Sequence, residues 1–317
     1  MNLAQTHDAP LEVPMKWGQQ RRLEFIDFRL RWEGRINRSA LMDFFGISTP
    51  QASLDLAKYI ELAPENLQYD RTTRMYLAKS SFSRVFPTSQ PDLFLDRILA
   101  NARDEPDSLG FLGWRPPTAA VPIPGRRVSE EVLARVVKAI RDKQDIFVRY
   151  QSITSSAETG RWLSPHALAH DGYRWHVRAY CHLRNEFRDF LVARTLSVED
   201  VRGGSIDVDL DTAWHNIVQL RIAPHPGLTS AAREIVEDDY GMKRGEAKLD
   251  CRQALLFYLL RQLNLMPRGG ASVPEAQQII LINAEDVLPL LKNKSPSATE
   301  AGNESFIRAP QGIHVQS

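Results

Sequence analysis

The sequence predicts an α+β chain of several domains, and three observations carry that expectation. Residues 38–62 read as helix, glycine turn and helix, and a short hairpin pattern follows. Residues 146–198 run as short segments in which apolar and polar side chains alternate. From Val218 the pattern is strand, helix, strand, helix, strand. Helical spacing and period-2 alternation are the two signatures that separate these regions. Together they predict an N-terminal winged helix-turn-helix, a central small β-barrel of the Sm/SH3-like kind and a C-terminal small α/β sandwich.

At 317 residues the chain is long enough for two or three domains with a sizeable core. A net charge of +1 sets up no global field toward nucleic acid, so any basic surface is local. Cys181 and Cys251 lack Cys-x-x-Cys spacing. Cys181 falls on the apolar parity of its run and reads as a buried thiol in a reducing compartment, so a cytoplasmic location is expected. With no leader pattern and no apolar run of membrane-spanning length, no membrane partner is expected.

In chain order, residues 1–14, with Pro10 and Pro14, show little periodicity and read as a loose lead-in. Lys16 to Trp32 reads as a helix with Leu23, Ile26 and Leu30 as its apolar stripe, ended by Gly34. Asn37 suits the cap of the next helix, Arg38 to Phe45, which turns Leu41, Phe44 and Phe45 inward before Gly46 breaks it. In ISTPQASLDLAKYIEL, Ser48 or Thr49 is a good N-cap, and Pro50 sits in the first turn, where its missing N–H costs nothing. Ala52, Leu56 and Ile60 are expected to face the core, leaving Gln51, Ser53, Asp55 and Lys58 outside. NLQYDRTTRMYLA then alternates around Asp70-Arg71-Thr72-Thr73, a hairpin that holds Arg71 and Arg74 as a wing.

A helix-turn-helix with a wing predicts a partner of double-stranded DNA. The candidate DNA-binding residues are Arg38, Ser48, Thr49, Pro50, Gln51, Ser53, Lys58, Arg71 and Arg74. Gln51 and Ser53 are types that reach base edges; Thr49, Arg38, Lys58 and the wing arginines suit phosphates. Asp55 has the wrong sign for a phosphate and is expected to face away. The modest basic load suits a dimer on a specific palindrome. A small helical bundle that binds nothing is the competing reading.

Ser80 to Arg127 reads as a connector: a helix over Pro91 to Ala102, then an extended segment punctuated by Pro106, Pro116, Pro117, Pro122, Pro124 and Gly125. Phe111, Leu112 and Trp114 need burying, so this segment is expected to pack against a neighbouring domain or a second subunit.

Ser129 caps a helix to Asp142, with Glu130 and Glu131 at the positive end of its dipole. Strands are expected over Ile146 to Ser152 and Arg161 to His170, with a turn over Thr154 to Gly160. Asp171-Gly172 favours a tight hairpin. Beyond it, Tyr173, Trp175, Val177, Ala179 and Cys181 share one parity, and Arg174, His176, Arg178, Tyr180 and His182 the other. In Phe187 to Val198, Arg188, Phe190, Val192 and Arg194 share a phase. Neighbouring strands with interleaved cations and aromatics suggest a site for a phosphate-bearing, stackable ligand. A half-buried strand with a solvated basic face is the competing reading.

The stretch SPHALAHDGYRWHVRAYC, followed by FRDFLVAR, resembles a WYL domain, the sensor module of many bacterial transcription factors. Trp175-His176-Val177 stands where the family has Trp-Tyr-Leu, a variant similar to that of WYL repressors of phage-defence islands, the BrxR/CapW type. The resemblance implies the Sm/SH3-like barrel. It also implies a ligand surface at Tyr150, Ser164, His166, His176, Arg178, Arg188, Phe190 and Arg194, where arginines clamp phosphate and Tyr150 and Phe190 stack a base. A two-residue Asp171-Gly172 turn would put His166 on the Trp175 face, away from His176 and Arg178; a bulge would flip it. The elements after Val218 resemble the C-terminal extension domain that follows WYL domains in such regulators.

The expected boundaries are a winged helix-turn-helix over 1–79, a connector over 80–128, a sensing domain over 129–205, a C-terminal extension and dimerisation domain over 206–292 and a disordered tail over 293–317.

Catalytic and metal chemistry find little support. His166 and His170 have the spacing of a helical metal pair, but on a strand they span about 13 Å, too far for one ion. No G-x-S-x-G elbow, phosphate loop or dinucleotide glycine pattern occurs, so no cofactor and no enzyme activity are expected. Two functions remain open. One is a homodimeric repressor of a phage-defence operon that binds a palindromic operator and is released by a nucleotide or short nucleic-acid ligand. The other is an accessory protein whose barrel grips single-stranded nucleic acid.

Overall fold

The computed structural model describes residues 16–103, 110–122, 124–153, 158–267 and 273–291. The expected lead-in over 1–14, Pro106, residues 154–157 of the expected turn and the tail over 293–317 lie outside the described residues. The chain divides into two compact units, Met1–Ile123 and Pro124–Ser317.

The first unit opens with α1 (Trp17–Glu33), which buries Leu23, Phe25, Ile26, Phe28 and Leu30. Gly34, at φ 72°, donates its N–H to the Leu30 carbonyl and ends the helix in a left-handed cap. β1 (Arg35–Ile36) leads to α2 (Arg38–Phe45), capped by Asn37 Oδ1, which accepts from the Ala40 N–H at 2.9 Å. α3 (Thr49–Leu62) follows, and β2 (Leu67–Asp70) and β3 (Met75–Ala78) form the wing, in a sheet of order β1-β3-β2. Each large side chain buried in this core stabilises the unit by about 1.5–3 kcal/mol.

The inward face of α3 is Ala52, Asp55, Leu56 and Tyr59, while Ile60, expected inside, is 38% exposed. Helical geometry explains the difference: seven residues return to within about 20° of the starting direction, eight overshoot by about 80°. Phe44, also expected inside, is partly exposed. Asp55 faces inward, where Arg22 Nε donates to it at 2.6 Å. Tyr59 donates its hydroxyl to the buried Asp27 carboxylate at 2.6 Å. Asp27 also accepts from Ser89 Oγ at 2.6 Å and from the Val85 N–H at 3.1 Å, tying the segment after the wing to α1.

Of the two expected partners for the connector, the neighbouring winged helix-turn-helix takes its apolar side chains, and only Trp114 departs from expectation. After α4 (Pro91–Ala102), Phe111 and Leu112 enter the first unit's own core, with the Phe111 ring edge-on to Phe25 at 5.4 Å. The aromatic surface already offered by α1 is what covers them. Trp114 stays 61% exposed.

The second unit begins with α5 (Glu130–Arg141), capped by Ser129. β4 (Gln144–Tyr150), β5 (Thr159–His170), β6 (Trp175–Cys181), β7 (Glu186–Leu191) and β8 (Thr195–Gly203) form an antiparallel sheet of order β7-β6-β5-β4-β8. Among the described residues β7 and β8 do not pair, so no closed barrel is found. The run expected as one strand over Phe187 to Val198 is two, because a 3-10 turn at Val192–Arg194 makes a corner. Val132, Val136 and Ala139 of α5 pack with Ile146, Val148, Val177, Ala179 and Phe190.

The β5–β6 hairpin is wider than a two-residue turn. His170 pairs with Trp175, and the Asp171 carboxylate accepts from the N–H groups of Tyr173 and Arg174 at 2.9 and 2.7 Å. The register then shifts between Pro165 and Ala167, leaving His166 as the extra residue of a bulge.

A short link, α6 (Thr212–His215), leads to β9 (Ile217–Pro224), α7 (Ser230–Asp239), β10 (Ala247–Arg252), α8 (Leu256–Gln262), β11 (Ile279–Leu281) and α9 (Ala284–Val287). The strands pair antiparallel in the order β10-β9-β11. β9 buries Val218, Leu220 and Ile222 while Gln219 and Arg221 face out, a period-2 pattern that covers Leu256 and Leu260 of α8. Among the described residues no helix is long and apolar enough to cross a membrane.

Candidate nucleic-acid interface and ligand face

The start of α3 projects from the first unit. Ser48 caps it by accepting from the Gln51 N–H, and Thr49 and Pro50 are exposed in the first turn. Gln51 Nε2 donates to Asp55 Oδ1 at 3.1 Å, so its amide is held along the helix. Ser53 donates back to the Thr49 carbonyl at 3.0 Å, and Lys58 pairs with Glu61 at 2.9 Å. Leu54, 64% exposed, and Ala57 complete the outward face. Arg38 is exposed at the first position of α2. At the wing tip Asp70 accepts from the Thr72 N–H and the Thr73 hydroxyl, closing the turn, and Arg71 and Arg74 point into solvent. Arg74 takes φ 56°, a left-handed position.

In the second unit the implied ligand residues fall into separate places. One face of β6 carries His176 and Arg178, both buried. Arg178 donates through Nε and Nη2 to Asp211 at 2.7 and 2.8 Å and through Nη1 to Asp189 at 3.0 Å. The bulge brings His166 to the same Asp211, at 3.0 Å, so the bulged alternative holds and His166 lies on the Arg178 face. His176 Nε2 bonds Asp171 at 3.0 Å, and its ring lies 5.0 Å from that of Tyr258. Burial lowers the His176 pKa and outweighs the nearby carboxylates, so the ring is neutral at neutral pH.

The opposite face holds Tyr150 and Phe190, edge-on at 5.3 Å in the core, with the Arg161 guanidinium 5.3 Å from the Tyr150 ring centre. Tyr150 accepts from the Leu191 N–H at 3.2 Å, and its hydroxyl also bonds Arg194. Burial raises its pKa despite that arginine. Arg188 pairs with Glu186 at 3.0 Å. Arg178 is opposite Asp189 and Ala179 opposite Arg188, so Arg178 and Arg188 project from opposite faces of the sheet. The shared concavity expected for these residues is therefore absent: period 2 gave each strand's faces, but the pairing register decides which faces meet.

Ser164 forms a third place. Its hydroxyl donates to Asp145 at 2.5 Å and lies 2.9 Å from His182 Nε2. The same Nε2 is 3.4 Å from Asp145, so one ring nitrogen faces both partners. A catalytic base needs its second nitrogen on the carboxylate, and this order does not supply it. Among the described residues no group of His, Cys, Asp or Glu is placed to hold a metal ion.

Comparison with known proteins follows the same division. Residues 18–100 match the BrxR transcriptional regulator winged helix-turn-helix domain, residues 131–200 the WYL domain and residues 217–287 the BrxR transcriptional regulator C-terminal dimerization domain. The chain is 48% identical over 278 residues to the DNA-binding transcriptional repressor CapW of Escherichia coli strain KTE188, covering 87% of this chain and 93% of that one. It is 49% identical over 278 residues to CapW of Pseudomonas aeruginosa, with the same coverage. The chain belongs to the BrxR/CapW family of WYL-domain transcriptional regulators. CapW of Stenotrophomonas maltophilia is 46% identical over 277 residues, covering 86% of this chain and 92% of that one.

Sequence reasoning missed several residues that shape these places in this BrxR/CapW-type chain. The outward Leu54 and Ala57 sit beside Ser53, where helical phase could have placed them. Arg161, at the start of an expected strand, carries no periodic mark of its place over the Tyr150 ring. Asp145, Asp171, Asp189 and Asp211 anchor the cationic side chains; Asp145, Asp189 and Asp211 do so from segments distant from at least one partner, and Asp171 from within the same hairpin. No local pattern marks them as buried.

Proposed function

We propose that this chain is a homodimeric transcriptional repressor that holds a palindromic operator with the start of α3 and the wing. A nucleotide or short nucleic acid received by the WYL domain releases it, and the operon it controls serves phage defence. The observation that carries the reading is the match at 46–49% identity to CapW repressors across the winged helix, the WYL domain and the C-terminal dimerization domain. The outward side chains of α3 and the arginines at the wing tip support DNA as the partner. Phage defence rests on the family resemblance alone.

In this reading Gln51, Ser53 and Leu54 face base edges, while Arg38, Thr49, Lys58, Arg71 and Arg74 position the phosphates. Ser48 and Pro50 set the entry of the helix. Release requires a ligand that binds the two conformations of the dimer unequally. Arg194, Tyr150 and Phe190, with Arg188 nearby on the same face, are the residues by which the sheet would receive it; Ser164, His166, His176 and Arg178 act from behind through their carboxylates.

Footprinting on DNA upstream of the protein's own gene tests the proposal. Protection of a symmetric site, with half-sites one helical turn or a multiple apart, is expected. Tight single-strand binding without any duplex footprint would sink it.

A further inference from the structure

A cavity of about 390 Å³ opens in the second unit beside the β5–β6 hairpin. Arg126, from the segment before α5, Arg174 of the hairpin and Arg261 of α8 line it, together with Tyr173 and Tyr258. Its size is within the usual range for small-molecule sites, about 300–1,000 Å³. The hairpin is built close against α8: Gly172 takes φ 94°, and a side chain there would meet Gln262 at 3.2 Å.

The charge in this cavity is not balanced. Asp171 is the carboxylate in its lining, and it already accepts from Arg174 Nε at 2.7 Å, His176 Nε2 at 3.0 Å and the N–H groups of Tyr173 and Arg174. Arg126 and Arg261 are exposed, and among the described residues neither has a carboxylate partner. Guanidinium groups from separate segments thus gather where an anion would be shared. Tyr173, 65% exposed, offers a free ring beside them. Planar guanidinium forks favour phosphate, and an exposed ring favours a base.

We propose that this cavity binds a nucleoside phosphate, with Arg126 and Arg261 on the phosphates and Tyr173 stacked on the base. The ligand class rests on the nucleotide-responsive reading above; the residues are distinct from the sheet residues which that reading uses. Asp171 joins the cavity to the sheet. It holds His176, whose ring lies on Tyr258, and Tyr258 donates to Asp189, a partner of Arg178. A phosphate that draws Arg174 from Asp171 therefore disturbs the buried pairs of β6.

Calorimetry on the full chain with ADP, GDP, CDP and UDP, each in turn, tests the site, with adenosine and inorganic pyrophosphate as controls. At least one diphosphate should bind, pyrophosphate more weakly and adenosine not measurably. Arg126→Ala and Arg261→Ala should each weaken the nucleotide at least tenfold. Tyr173→Ala should weaken the nucleotide but not pyrophosphate. If no diphosphate binds, or adenosine binds equally well, the proposal is overturned. It is also overturned if Arg126→Ala and Arg261→Ala bind as the parent does while Arg194→Ala loses binding; the nucleotide-responsive reading then survives with its site on the sheet. Footprinting of the same samples reports separately whether operator binding stands.

Discussion

At the scale of single residues, buried aspartates explain more than the cations they hold. Burial alone would raise the Asp211 carboxyl, but hydrogen bonds from Arg178 and His166 outweigh it and hold the carboxyl well below the usual range. Asp171 is lowered in the same way, against its own burial, by His176, the hairpin N–H groups and Arg174. A carboxyl whose folded pKa is depressed lends stability that is complete above its unfolded pKa, about 3.9, and is lost as pH falls below it. The denaturant midpoint of the second unit should therefore begin to drop as pH falls below about 5, and fall most steeply below about pH 4, continuing toward about pH 1 because both folded carboxyls stay ionised well below the usual range. Asp211→Ala should cost about 3–5 kcal/mol at pH 7, because Arg178 is left charged and buried, and should flatten that acid slope. Urea titrations at several pH values check both; an unchanged slope would remove Asp211 from the linkage. In the first unit, Gln51→Ala should lower operator affinity by about 1–3 kcal/mol if the amide leaves Asp55 to read a base. An unchanged Kd in gel-shift titration would leave Gln51 as a brace for Asp55. The inward turn of Asp55 was half legible: its sign excluded a phosphate contact, but Arg22, 33 residues away, was invisible to local pattern.

At the scale of elements, the wing separates positioning from fold. Arg74 occupies a left-handed backbone position that favours glycine, and its guanidinium extends from the turn. Arg74→Gly should keep or slightly raise the melting temperature while weakening DNA binding similarly on all sequences. The slope of log affinity against log salt should fall by about one. Arg71→Ala should change that slope alike. On α3, exposed Leu54 suits the methyl group of thymine, so replacing operator thymines by uracil should weaken the parent but not Leu54→Ala. Gel shifts on both DNAs decide it; equal losses would clear Leu54. Helices and strands were largely legible, since caps such as Asn37 and Ser48 and breakers such as Gly34 and Gly46 act within a few residues. Register was not. The Asp171 carboxylate widens the hairpin by accepting two N–H groups, and the bulge at His166, beyond four ladder pairs, shifts the register by one residue. That pair of adjustments decided which side chains share a face, and neither leaves a periodic trace.

At the scale of the molecule, the second unit is joined through charge as well as apolar packing. Arg178 of β6 reaches Asp211, which also caps α6 by accepting from the Trp214 N–H. Tyr258 of α8 reaches Asp189 of β7 and covers His176. The link after the sheet and the helix beyond it thus end in the same buried pairs. Opening either part exposes a charge that the other neutralises, so the two should unfold together. In hydrogen exchange on the full chain, the slowest amides of Trp175–Cys181 and Ile217–Pro224 should report one opening free energy. Asp211→Ala should lower both by the same amount while leaving those of Leu23–Leu30, in the other unit, unchanged. If only the Trp175–Cys181 amides respond, the sheet and the C-terminal segment are separate cooperative units. A ligand on the sheet would then have no rigid path to the segment matched by the dimerization domain.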